Sequence, residues 1–201
     1  MTINHEKKLI FIHMPKSAGT SIVKVLGVEN AYMDRTVEEY KEHYKNYWYE
    51  YTKFTVIRDP IDRFKSAYKF ARMGESFWFS LSGKYKLEKH PHYDLCSSMD
   101  INQYVEFLYK DQNKFDRFTI PQSFILRNKD KKFEIDYYVR FENLIDDLKK
   151  IGIVNIDKLN SSTIDNEKNL ILTSRSKKML HEIYDVDYKN FNYKKKIFDY
   201  E

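Results

Sequence analysis

Leu9-Ile10-Phe11-Ile12 is an apolar run that breaks at Pro15 and passes through a small, hydroxyl-rich turn into Ile22-Val23-Lys24-Val25-Leu26. A short apolar run, a tight loop and a helix-spaced segment allow few structures. The arrangement predicts a strand feeding a helix through a loop. Such a junction aims the orphan N–H groups of the helix start, and the positive end of its dipole, at the loop. It is therefore a ready anion site. Lys16 adds a cation, Ser17, Thr20 and Ser21 add hydroxyl donors, and Gly19 allows a close backbone approach to a ligand.

A second junction follows. Phe54-Thr55-Val56-Ile57 is β-branched and aromatic and ends in Arg58-Asp59-Pro60. Proline suits a first helical turn, and aspartate before it suits a cap. Ile61, Phe64, Ala67 and Tyr68 then share one helical face. The guanidinium fork of Arg58 suits phosphate oxygens.

The first loop is not a Walker A motif, because Lys16 stands three residues before the only glycine of the loop. The order Pro15-Lys16-Ser17-Ala18-Gly19-Thr20-Ser21 instead resembles the 5′-phosphosulfate loop of sulfotransferases, closest to their carbohydrate branch. The string Arg58, Asp59, Pro60, Asp62, Arg63, Ser66, Ala67 and Tyr68 resembles the 3′-phosphate motif of the same family. Val139-Arg140-Phe141-Glu142-Asn143-Leu144 resembles its later strand and E-x-L turn. Ile183 to Tyr193 resembles its C-terminal signature, so the likeness runs from about Leu9 to Tyr193.

The resemblance implies a P-loop-like α/β fold, three-layered, with a central parallel sheet between helices. It also implies 3′-phosphoadenosine 5′-phosphosulfate (PAPS) as sulfuryl donor, yielding 3′,5′-adenosine bisphosphate, and a carbohydrate or glycolipid hydroxyl as acceptor. Pro15 through Ser21 would hold the phosphosulfate, with Lys16 stabilising the leaving phosphate. Arg58 and Ser66 would hold the 3′-phosphate, and Arg175 and Lys177 fall where the family makes a further cofactor contact.

The general base is where the chain departs from its relatives. They often carry histidine in a context like H-x-T-A-x-E. Here the string is Asp34-Arg35-Thr36-Val37-Glu38-Glu39, with Asp34 at the histidine position. Another family histidine, just before a Pro-Gln pair, is replaced around Pro121-Gln122 by Phe118-Thr119-Ile120. A carboxylate raised by burial can act as a base. The candidates are Asp34, then Glu38 and His43, with His90 and His92 outside them; Asp34 equally suits the N-cap of the helix from Thr36. His13 reads as a structural residue beside the loop.

The remaining sequence sets bounds. A chain of 201 residues with 42% hydrophobic content fits one domain with a sizeable core. The net charge of +5 suits an anionic ligand but is not the footprint of a nucleic-acid binder. Cys96 stands alone, so no intramolecular disulfide forms. With no membrane-length apolar run and no leader pattern, the expectation is a cytoplasmic protein without a membrane span. His90-Pro91-His92 lacks metal-ligand spacing, and no metal is expected.

Helices are expected over 34–52, 100–112 (Asp100 as cap), Asn143 to Ile151 (closed by Gly152) and Leu170 to Asp185, with a strand from Phe133 to Arg140. Residues 72–98 read as an irregular insertion or acceptor-binding loop. Two other functions compete: a catalytically degenerate sulfotransferase-fold binding protein, favoured by the missing histidines, and a P-loop-type small-molecule kinase.

Overall fold

The computed structural model describes residues 2–28, 36–75, 88–154 and 170–195. The chain divides into two compact units, one of Met1–Asp59 with Ile120–Thr163 and the other of Pro60–Thr119 with Ile164–Glu201.

The first unit holds the sheet. Strands β1 (Ile3–Asn4), β2 (Leu9–Ile12), β3 (Thr52–Ile57) and β4 (Tyr137–Arg140) lie in that order. β2, β3 and β4 are parallel, with Ile12 opposite Thr55 and Ile57 opposite Arg140. β1 is an antiparallel addition that the sequence reading did not separate from β2. Alternation along each strand sends Leu9, Phe11, Phe54, Val56 and Val139 to one face. There they pack with Ile22 and Leu26 of α1 (Gly19–Val25) or just past it, and with Leu148 of α7 (Leu144–Lys150). Each such burial contributes about 1.5–3 kcal/mol. The expected α/β architecture, a mostly parallel sheet flanked by helices, is what forms.

α2 (Val37–His43) is shorter than expected. Its N-cap is Thr36, whose side chain accepts from Glu39 N–H while the Glu39 carboxylate accepts from Thr36 N–H. This reciprocal capping box supplies the start that the sequence reading gave to Asp34. The apolar stripe outlasts the helix, since Tyr44, Trp48 and Tyr51 stay buried through successive turns. α6 (Gln122–Leu126) follows the Pro-Gln pair. β4 begins at Tyr137 rather than Phe133, because Phe133 bridges back to Arg127 and Glu134 turns aside to Lys41, Trp48 and Asn128. α7 ends as expected, with Gly152 at φ 77°, the left-handed conformation glycine adopts without cost.

The second unit is helical. α3 (Pro60–Ala71), α4 (Tyr93–Ser98), α5 (Ile101–Lys110), α8 (Ser174–Ile183) and α9 (Asp185–Asn190) enclose Phe64, Tyr68, Tyr104, Leu108, Leu180 and Tyr184. α3 starts at Pro60, and Asp100 caps α5 in a second capping box. Part of the expected irregular insertion is helical: α4 occupies residues 93–98 and buries Cys96. Its polar composition had hidden that one apolar contact. Residues 76–87 of the same stretch lie outside the described residues. The last long helix begins at Ser174 rather than Leu170, because the Thr173 side chain caps it by accepting from Ser176 N–H.

Candidate active site

The loop after β2 joins two left-handed residues that are not glycine, Lys16 at φ 66° and Ala18 at φ 61°. Each costs about 1–2 kcal/mol relative to a right-handed conformation. Alternating backbone hands of this kind turn successive N–H groups toward one concavity, an anion nest. The N–H groups of Ser17, Ala18, Gly19 and Thr20 make no hydrogen bond among the described residues. The Ser17 side chain is fully buried, and its hydroxyl likewise finds no partner there. A buried donor without an acceptor costs about 1–3 kcal/mol, which a bound anion would recover.

Glycine at position 19 has a different reason from the one its sequence context suggests. A Cβ at Gly19 would run into the His13 imidazole, meeting its Cε1 at 3.0 Å and its Nε2 and Cδ2 closer still. Gly19 does not have the positive φ that glycine favours. Its missing side chain leaves the space His13 fills, and so the histidine is tied to the loop itself.

Two later segments of the first unit frame Arg58 at the end of β3. Arg58 Nη1 donates to the Lys16 carbonyl at 3.2 Å, and the guanidinium lies 4.1 Å from the Phe141 ring centroid. The wholly buried Gln122 clamps the Arg58 backbone. Its Oε1 accepts from Arg58 N–H at 3.0 Å, and its Nε2 donates to Arg58 C=O at 2.9 Å. Glu142 accepts from Asp59 N–H at 2.7 Å. Thr55 Oγ1 donates to the Ile12 carbonyl at 2.8 Å and ties β3 to the strand that enters the loop. Thus the Pro-Gln pair and the E-x-L turn both hold the backbone around Arg58. In sequence, the first stands out only by the family histidine it lacks and the second only as part of the family likeness.

The base candidates separate. Glu38, on α2, accepts from Lys129 N–H at 3.1 Å through Oε1 and lines a cleft of about 350 Å³. At that cleft, Lys41, Trp48 and Asn128 donate to Glu134, and the Lys41 ammonium first among them holds its carboxyl below the usual range. His43 is exposed in the last turn of α2, edge-on to Tyr44 at 4.7 Å between centroids. Asp34 lies outside the described residues.

In the second unit, Ser66 is half-buried on α3, and Lys177 is half-buried in the first turns of α8. Arg175 is exposed, with Nε 3.5 Å from Glu106 of α5. His90 is a core residue. Its Nδ1 accepts from His92 N–H at 3.0 Å, and its Nε2 lies 3.1 Å from Asp116. Burial pushes the Asp116 carboxyl up, but hydrogen bonds from His90 and Thr119 outweigh it and hold the group below its usual range. His92 Nδ1 lies 2.7 Å from the Tyr104 hydroxyl, and burial lowers its pKa. Both histidines thus serve the helical core. Among the described residues no cluster of His, Cys, Asp or Glu could hold a metal ion, and no helix is long and apolar enough to cross a membrane.

A loop with unpaired N–H groups after the first parallel strand and an arginine framed at the end of the next are the features of this α/β fold that could meet an anion. The chain belongs to the sulfotransferase family, whose model matches residues 1–194. No curated protein and no solved structure matched it. Membership supports sulfotransfer activity in general.

Proposed function

We propose that the protein transfers the sulfuryl group of PAPS to a hydroxyl of a carbohydrate acceptor. The observation that carries this reading is the anion cradle, in which four loop N–H groups and the buried Ser17 hydroxyl lack protein acceptors among the described residues, beside Lys16. The family supports the donor class. The donor would bring the sulfuryl group, and the acceptor oxygen would replace the phosphate oxygen at sulfur.

The chain's own residues then divide the work. The loop N–H groups and Ser17 bind the 5′-phosphosulfate, with Pro15 and Ala18 shaping the turn and Thr20 and Ser21 offering hydroxyls. The Lys16 ammonium stabilises negative charge as it develops on the leaving phosphate. Arg58 supplies a guanidinium for the 3′-phosphate, and the Gln122 clamp fixes the backbone from which it projects. Ser66, Arg175 and Lys177 rest on the family motif alone. Asp34 takes the acceptor's proton, by its place at the family histidine position.

Calorimetry with 3′,5′-adenosine bisphosphate, beside ATP with Mg²⁺, tests the reading on wild type, Lys16→Ala and Arg58→Lys. We expect metal-independent bisphosphate binding that weakens in Arg58→Lys. We also expect transfer from labelled PAPS to an acceptor pool to fall about 10²–10³-fold in Lys16→Ala, the scale of losing a preorganised donor. Preference for Mg²⁺-ATP refutes the reading, and bisphosphate binding without transfer replaces it with a non-catalytic one.

A further inference from the structure

We propose that His13 is a positioning residue for the anion loop. Its imidazole, seated in the side-chain space that Gly19 leaves empty, sets the loop backbone so that the N–H groups of Ser17 to Thr20 face one anion. The inference rests on the anion-binding reading of that loop.

Three observations carry it. First, the clash of a Cβ at Gly19 is with a side chain, the His13 ring, and Gly19 has no positive φ to explain the glycine. The pair is therefore complementary in space, one residue lacking what the other supplies. Second, Lys16 and Ala18 hold left-handed backbones without being glycine, so the loop needs restraint from outside. Arg58 restrains it at the Lys16 carbonyl, and His13 is the contact at Gly19. Third, His13 is itself located from two sides. Its N–H donates to the Tyr40 hydroxyl of α2 at 3.1 Å. Its ring lies 5.9 Å from that of Phe11, which stacks on Phe54 at 5.1 Å. The Tyr40 hydroxyl thus holds the His13 backbone and Phe11 lies against its ring, and that located imidazole meets the loop at Gly19.

The test is a double-mutant cycle of His13→Ala and Gly19→Ala, with His13→Phe as the shape-conserving variant. Affinities for 3′,5′-adenosine bisphosphate and for inorganic pyrophosphate are measured by calorimetry well below each melting temperature. The Gly19 amide is followed by ¹⁵N-resolved NMR in the free protein. Each single variant should weaken binding about tenfold or more, the scale of losing a supporting contact behind a binding group. His13→Ala should also move the Gly19 amide resonance.

The double variant should be no weaker than the worse single one, because with the ring gone the alanine at 19 has nothing to displace. His13→Phe should keep affinity within about threefold. A role confined to stability would lower melting temperatures without this non-additivity. Wild-type affinity in His13→Ala, or single effects that multiply, overturns the proposal. Pyrophosphate binding without bisphosphate binding overturns the donor assignment alone. A wild type that binds neither probe overturns both.

Discussion

Gln122→Glu replaces one side-chain donor with an acceptor and leaves size and shape unchanged. Gln122 is fully buried, and its amide satisfies both the N–H and the C=O of Arg58. The substituted carboxylate can still accept from Arg58 N–H, but its second oxygen faces the Arg58 carbonyl at the former 2.9 Å contact. One hydrogen bond becomes a repulsive oxygen pair, and a carboxylate is buried. An unsatisfied buried acceptor costs about 1–3 kcal/mol, and a charged group costs more. We therefore expect a loss of about 2–4 kcal/mol at pH 7, against a total of about 5–15 kcal/mol for a folded protein.

The same geometry gives the loss a pH dependence of definite sign. Protonating the new carboxyl restores an O–H donor toward the Arg58 carbonyl. Folding thus raises the pKa of the introduced carboxyl, and the folded variant binds more protons than the unfolded one. The variant should recover toward wild type as pH falls from 7 toward the ordinary glutamate range near 4.3, by about 1.4 kcal/mol for each unit of raised pKa. Urea unfolding of both proteins at several pH values, each in a Trp78→Phe background so that fluorescence reports Trp48 of the first unit, gives the difference directly. A difference below about 0.5 kcal/mol at pH 7, or one that does not change with pH, would falsify the clamp.

Two other perturbations follow from the same structure. Lys16→Gly removes the ammonium but relieves a left-handed backbone at φ 66°; with glycine's entropy cost of about 0.5–1 kcal/mol set against a relief of about 1–2 kcal/mol, its melting temperature should match or exceed wild type while transfer is lost. A clear drop in melting temperature would remove the strain argument. In the second unit, burial lowers the pKa values of His92 and His181 from 6.5, so both fold neutral and the unfolded chain takes up protons first. That stability is complete above about pH 6.5 and is lost as pH falls below it. His92→Gln should flatten the decline of melting temperature between pH 7 and 5, leaving the part due to His181, and an unchanged slope would contradict the assignment.

Much of the fold was legible because short-range signals carry it. The apolar runs at Leu9 and Phe54, Pro60 at a helix start, Asp100 before a helix and Gly152 after one are each local features with local causes. Errors came where a distant partner decided the outcome. Phe133 turns back to bridge Arg127, and this leaves Glu134 facing Lys41 and Trp48, so β4 starts late. Cys96 is wholly buried with its α4 neighbours Ser97 and Ser98 exposed, and periodicity cannot see a helix with one apolar contact.

The candidate site divides along the same line. The residue types that would meet an anion, Lys16, Ser17 and Arg58, were readable because their chemistry is intrinsic to the side chain. The residues that hold them were not, because Gln122, Glu142 and His13 act on the backbone of distant segments, at Arg58, Asp59 and Gly19. Gly19 marks the boundary. In sequence its smallness is equally consistent with a ligand, a left-handed turn or a packed neighbour. The structure removes the left-handed turn and supplies the neighbour. A ligand that meets the loop at Gly19 therefore meets its backbone N–H, with the side-chain face already covered by imidazole. Contact at this position is then insensitive to which base or sugar the ligand carries and sensitive to its anionic group, as the proposed phosphosulfate role of the loop requires.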